Sequence, residues 1–370
     1  MKKIGIITLS ASYNCGSMLQ SYALKEILKK YGDVEIINFS SAASHRMYDI
    51  VPETFLKKLR MKYRNKALFN ELLNEEKAYT DFQRNMLEIS GKEFWAEDLQ
   101  EIADKYDIVV AGSDQVWNVC MGDFDEAFFC DWTNGKKVAY APSLGGHDIR
   151  ESANAEKMVA WIKNFDALSV RESVGKICLD DITGKDVVKV LDPTLVFGDE
   201  KWKALVGKPI VEGEYIFYYS WAYCYEELNH IVSERAHELQ IPAYVIDAHK
   251  WRTHRADKAG FTLCREAGPM AFLNLMYYAR ECYVESFHGM LFAYMFRKNF
   301  WLLDTHENYE QLDARLKELV ELVNARDRIL TMYNNSDVDK DLKIEYTDNS
   351  SLKNMRQISE QYIQGVFSEI

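Results

Sequence analysis

The sequence predicts an α/β protein of two doubly wound strand–helix layers. Three observations carry this. Short apolar runs end in loops, helical spacing separates many of them, and the alternation restarts after a polar stretch near residue 210. The length of 370 residues suits two domains, each large enough to bury a core.

The elements follow in order. IGIITL (4–9) reads as a first buried strand, and Leu19, Tyr22, Ala23, Ile27 and Leu28 then fall near helical spacing. VEIINF (34–39) closes a first βαβ unit. Residues 52–88 read as a polar helical insertion with a basic front half: Lys57, Lys58, Arg60, Lys62, Arg64 and Lys66, uninterrupted by any acid. Strands return at 106–112, 136–142, 166–170 and 186–192, with helices at 148–163 and 172–180. Beyond Gly207, Pro209 and Gly213, strands are expected at 214–220, 242–248, 281–286 and 299–304, with helices at 225–239, 269–279, 289–297 and 308–323. The expected domains are therefore 1–207 and 213–345, followed by an amphipathic helix at 351–370. Two Rossmann-like halves facing a cleft is the implied architecture.

Composition narrows the function. The formal net charge is −12, which speaks against a general nucleic-acid binder. Seven scattered cysteines, with no C-x-x-C, support neither a disulfide framework nor a zinc site and fit a reducing compartment. Met1-Lys2-Lys3 before the first apolar run imitates a secretory leader, but the run is short and no A-x-A-like site follows. A cytoplasmic protein is expected, without a bound metal. The basic run adds the expectation of peripheral association with the inner membrane surface, a solvated helix face being the plainer alternative.

Ligands of open parallel sheets bind beyond the carboxyl ends of strands, so four loops stand out: SASYNCGS (10–17), GSDQVWN (112–118), PSLGG (142–146) and SFHG (286–289). The first lacks G-x-G-x-x-G and G-x-x-x-x-G-K-[ST]; its helix start near Ser17 can hold an anion or simply be capped. The second mixes a carboxylate, amides, a hydroxyl and the indole of Trp117. That mixture suits a sugar, or else a turn with Trp117 filling the layer behind it. His288, beside a strand end, can exchange protons near neutral pH or be structural. The stretch 249–255 is the densest cationic patch of the second half and suits an anionic ligand or a solvated loop. G-x-S-x-G and H-E-x-x-H are absent, against acyl-enzyme and zinc hydrolysis.

Taken in order, NCGSMLQSYAL (14–24), AGSDQVWN (111–118), KKVAYAPSLG (136–145), LSVRE (168–172), VLDPTL (190–195) and ESFHGMLFAYMF (285–296) resemble the polysaccharide pyruvyl transferase family. A weaker echo is the segment 316–328. The resemblance implies a fold similar to the GT-B glycosyltransferases. It also implies transfer of pyruvate from phosphoenolpyruvate, as co-substrate, onto two hydroxyls of a sugar, giving a ketal. No other cofactor is required.

Carried over onto this sequence, the resemblance makes His288 the proton-transfer group or phosphate ligand. Arg171 becomes a donor clamp, unless it pairs with Glu172, and Asp114 becomes the carboxylate for the acceptor hydroxyls. Arg171, Lys250, Arg252, Arg255, Arg265, Ser286 and Gly289 form the expected donor set. Asn14, Gly16, Ser113, Asp114, Trp117, Asn118 and Ser143 form the expected acceptor set. Ser286-Phe287-His288 stands where well-studied members carry Arg-x-His, so another cation must supply that charge or the donor is held differently. The acceptor is a sugar, lipid-linked or nucleotide-linked. A GT-B-like glycosyltransferase using a nucleotide sugar and a non-catalytic glycan-binding relative are the alternatives. Under any of the enzyme readings, positive potential is expected from residues 249–255, Arg171 and His288.

Overall fold

A computed structural model describes residues 1–52, 54–64, 66, 68–220, 223–334, 338–342, 344, 346 and 349–369; the domain end expected at 345 lies outside them. Among the described residues, twelve strands form two six-stranded sheets in which every pairing is parallel.

The first sheet contains β1 (Lys3–Ile7), β2 (Asp33–Ile36), β3 (Ile108–Ala111), β4 (Lys136–Ala139), β5 (Ala167–Val170) and β6 (Val188–Lys189), in the order β2-β1-β3-β4-β5-β6. Ile4 pairs with Val34 on one side and Ile108 on the other. A strand flanked and covered in this way must be apolar at nearly every position, which is why β1 and β3 appear in the sequence as unbroken apolar runs.

The second sheet contains β7 (Ile216–Tyr219), β8 (Ala243–Val245), β9 (Thr262–Leu263), β10 (Glu281–Val284), β11 (Asn299–Asp304) and β12 (Ile329–Thr331), in the order β12-β11-β10-β7-β8-β9. Renumbered from β7, that order is the Rossmann 3-2-1-4-5-6. The first sheet begins 2-1-3-4-5, as in flavodoxin-like sheets. The strand order therefore reverses between β1 and β3 in the first sheet and between β7 and β10 in the second. The loops at these reversals are where each sheet can hold a ligand.

The chain divides into two units: Met1–Asp49 with Asp81–Phe197 and Ser350–Ile370, and Ile50–Thr80 with Gly198–Asn349. This differs from the sequence reading in three places. The division falls at Phe197, because Gly198–Leu205 continues into the second unit, where Trp202 packs edge-on against Phe292 at 5.1 Å. Residues 50–80 group with the second unit, where Glu75 Oε2 accepts from the Ala248 amide at 3.1 Å. The helix Ser350–Glu369 is not a separate appendage. It joins the first unit through buried Ile363 and Phe367, and the Tyr362 hydroxyl donates to the Ala139 carbonyl at 2.9 Å. The helical stretch expected over 52–88 is two helices, Phe55–Arg64 and Phe69–Asn85.

Candidate active site

At the β1/β3 reversal, Asn14 caps the helix Cys15–Leu28, its Oδ1 accepting from the Gly16 and Ser17 amides at 2.9 and 3.2 Å. The cap is thus Asn14 rather than Ser17, and two of the orphan helix donors are already satisfied. Ser17 instead donates its hydroxyl to Asp114 Oδ2 at 2.7 Å. Asp114 follows a cis Gly112–Ser113 peptide and has φ +72°. Gly112 has to be glycine: at φ +115° a Cβ would fall 2.3 Å from the Tyr140 carbonyl oxygen.

Asp114 is 3.7 Å from Arg171 Nη1, and the same nitrogen donates to Asp192 Oδ2 at 2.9 Å. Asp192 Oδ1 accepts from the Thr194 amide and hydroxyl at 3.0 and 2.6 Å. All of these carboxylates and the guanidinium are buried. Pieces from 14–24, 111–118, 168–172 and 190–195 thus meet in one hydrogen-bonded cluster. The fifth piece, 136–145, joins through Ser143, whose amide donates to the Asp114 carbonyl at 2.7 Å.

Several expected ligands are committed within the fold. Arg171 is only 7% exposed, and its Nη1 is engaged by Asp192 and Asp114. Glu172 adds to the negative charge around it while accepting from the Ser143 hydroxyl at 3.0 Å and the Leu144 amide at 2.6 Å. Trp117 has no exposed face. It stacks on Phe129 at 5.5 Å, meets Phe165 edge-on, and donates its indole N–H to the Phe128 carbonyl at 3.2 Å. It fills the layer behind the loop and offers no platform to a sugar. Asn118 is buried too, holding Gln115 Oε1 and the Cys120 amide.

Two groups not nominated from sequence stand beside Asp114. Asp123 is 1% exposed, and neither of its carboxylate oxygens reaches full hydrogen-bond geometry with a described residue. The Tyr48 hydroxyl lies between Asp123 and Ser12. Burial, reinforced by Asp114, pushes the Asp123 carboxyl up from its ordinary value of 3.8. No local pattern around Gly122-Asp123-Phe124 announces this.

A carboxyl whose folded pKa is raised binds its proton more tightly when native. Its stabilisation is present below pH 3.8 and is lost as pH rises through the folded value. Asp123→Asn should therefore melt above wild type at pH 8, by on the order of 1 kcal/mol, and the gap should close in acid. Thermal melts across pH check this. A variant less stable than wild type at pH 8 would refute it.

At the β7/β10 reversal, β10 runs into Glu285-Ser286-Phe287-His288. Ser286 caps the helix Phe287–Met295, its Oγ accepting from the Gly289 amide at 3.0 Å. A Cβ on Gly289 would meet Val284 Cβ at 3.0 Å and Ser286 Oγ at 2.9 Å, so glycine lets the helix close onto its strand. His288 occupies the first turn, buried, with the Phe287 ring edge-on at 5.3 Å. The neighbouring Glu285 accepts from the Tyr218 hydroxyl at 2.8 Å.

The sequence model of the polysaccharide pyruvyl transferase family matches residues 14–307, a span that holds Asn14, Asp114, Arg171, Asp192 and His288. The chain belongs to the polysaccharide pyruvyl transferase family. It is accordingly a transferase.

Among solved structures, UDP-N-acetylglucosamine 2-epimerase from Rickettsia bellii is similar at 11% identity and a TM-score of 0.53, covering 100% of this chain and 96% of that one. The UDP-GlcNAc 2-epimerase of Methanocaldococcus jannaschii is similar at 11% identity and a TM-score of 0.51, covering 96% and 99%. At such identity these likenesses show the fold alone, two Rossmann-like units of the GT-B type. No curated protein matches the sequence.

Of the other cations named from the sequence, Lys250, Arg252 and Arg255 lie in and beside a short helix. The stretch 249–255 is not a loop: it contains the helix Ala248–Thr253, capped by Asp247 through the Lys250 amide at 2.7 Å. Lys250 Nζ lies 3.0 Å from Asp247, and Arg255 Nε is 3.3 Å from Asp257. The helix start is also covered by Glu75, whose carboxyl is raised by burial and by Asp247. Arg252 and Arg265 are exposed. Elsewhere, ligand atoms of Cys120, His147 and Glu151 lie within 4.8 Å of one another, a grouping that the cysteine spacing does not reveal.

Proposed function

We propose that this family member transfers pyruvate from phosphoenolpyruvate to two hydroxyls of a sugar in a polysaccharide or glycan precursor. The observation that carries the reading is the family match over 14–307, within which five separate sequence pieces build the buried cluster around Asp114. In the reaction the enol methylene takes a proton and becomes a methyl group. Two sugar oxygens bond to the neighbouring carbon, the carbon–oxygen bond to phosphate breaks, and phosphate leaves. Of the two hydroxyl protons, one is balanced by the new methyl hydrogen and the other by the phosphate.

His288 is the proton carrier or the ligand of the phosphoryl oxygen in this scheme. Asp114 accepts from the attacking hydroxyl, and Arg171 positions Asp114 through the shared ion pair. The donor's phosphate and carboxylate need cations. Arg252, Arg255 and Arg265 are the exposed candidates of the expected set, Arg255 being paired with Asp257, followed by half-buried Lys250.

The test is phosphoenolpyruvate-dependent phosphate release, screened over nucleotide-linked and lipid-linked sugars. Release is expected only with a matching acceptor. Silence with every acceptor, together with a melting temperature raised by a nucleoside diphosphate and not by phosphoenolpyruvate, points to a nucleotide-sugar enzyme instead.

A further inference from the structure

The helix Phe55–Arg64, FLKKLRMKYR, faces water where amphipathic helices usually face a core. Phe55 and Leu56 are each 77% exposed, Leu59 is 53% and Tyr63 is 87%. At 3.6 residues per turn these four side chains fall within an arc of about 100°. Lys62 and Lys58 border that arc on one side, Arg60 and Lys57 on the other, and all four are exposed. Met61, the one described side chain of the helix that is partly buried, projects roughly opposite the centre of the apolar arc. The helix is therefore least exposed on its Met61 side and presents an apolar stripe between two rows of cations.

We propose that this helix docks the protein on an anionic lipid bilayer, with Phe55, Leu56, Leu59 and Tyr63 entering the headgroup boundary. Charge identifies the occupant. The run 57–66 carries six cations and no acid in a chain of net charge −12. Anionic leaflets attract such segments, and Lys and Arg rows beside Phe and Leu are the composition of helices that lie in the membrane plane. A nucleic acid would engage the cations but leave four large apolar side chains in water. A second copy of the helix packed face to face would bring like charges together. No helix among the described residues is long and apolar enough to cross a membrane, so the contact is with the surface.

The experiment is flotation of the whole protein with phosphatidylcholine vesicles, with and without phosphatidylglycerol. Wild type should float with phosphatidylglycerol vesicles at low salt and stay behind with phosphatidylcholine alone. Replacing Lys57, Lys58, Arg60 and Lys62 together by Gln should weaken partitioning on the order of a thousandfold. Phe55→Ser with Leu56→Ser and Leu59→Ser should abolish flotation at any salt concentration. These positions are exposed, so both variants should keep the wild-type melting temperature. The proposal is overturned by failure of wild type to float at any phosphatidylglycerol content, or by flotation that both variants retain. A wild-type dimer in sedimentation that the serine variant dissolves, with no vesicle binding, would assign the stripe to a second copy and equally overturn it.

Discussion

His288→Ala should lower phosphoenolpyruvate-dependent phosphate release by at least about 10² to 10⁴-fold, the range that a positioned acid–base group contributes. The protein should stay folded. The helix Phe287–Met295 is started by Ser286, not by His288, and alanine is the best helix former to place in its first turn. What is lost is a buried ring in edge contact with Phe287, a change of about 1–2 kcal/mol. Circular dichroism and a melting curve separate that small loss from the catalytic one. His288→Gln then divides the two roles, because its amide can hold a phosphoryl oxygen but cannot shuttle a proton at neutral pH. A glutamine variant as slow as alanine supports proton transfer, and one that recovers turnover supports phosphate binding. Undiminished turnover in both removes His288 from the mechanism.

What was legible in the sequence follows from how each feature is encoded. The strand 299–304 is found with the bounds read from NFWLLD, because it lies inside a parallel sheet and nearly all of it is buried. β9 and β12 leave no pattern in the sequence, since Thr262–Leu263 and Ile329–Thr331 are edge strands too short to form one. The helix Ala248–Thr253 was hidden by its own cations, although Asp247 three residues before Lys250 is a capping signal.

Side-chain partnerships were legible least. An indole at a strand end looks the same whether it lies under a sugar or under Phe129, and only the packing of 129 and 165 against 117 decides. Nothing local in VLDPTL connects Asp192 to an arginine 21 residues earlier. The connection is made by the sheet. β5 pairs with β6 with Val170 opposite Lys189, so the residues just beyond the two strand ends are brought together.

The same register explains how Arg171 reaches Asp192 and Asp114. Near a strand end successive side chains point to opposite faces, so Glu172 is turned toward Ser143 and Leu144 while Arg171 is turned toward Asp192 and Asp114. Burial works against the guanidinium charge, yet Asp192, Asp114 and Glu172 together hold its pKa above the ordinary value. Arg171→Met should therefore be among the most damaging single changes to the first unit. It keeps the apolar stem but leaves two carboxylates buried without their cation, an expected loss of about 3–5 kcal/mol. For a unit of this size that corresponds to a fall of roughly 6–20 °C in melting temperature. Arg171→Met combined with Asp192→Asn should recover much of the loss, because one of the two stranded charges is gone. The double-mutant cycle measures the coupling directly. A single-variant loss below about 1 kcal/mol would mean that the cluster is hydrated like a surface pair, contrary to its burial. Phosphate release measured on the stable double variant then isolates the positioning role. If Arg171 serves only stability, turnover returns with the fold; if it aims Asp114, turnover stays low after stability is restored.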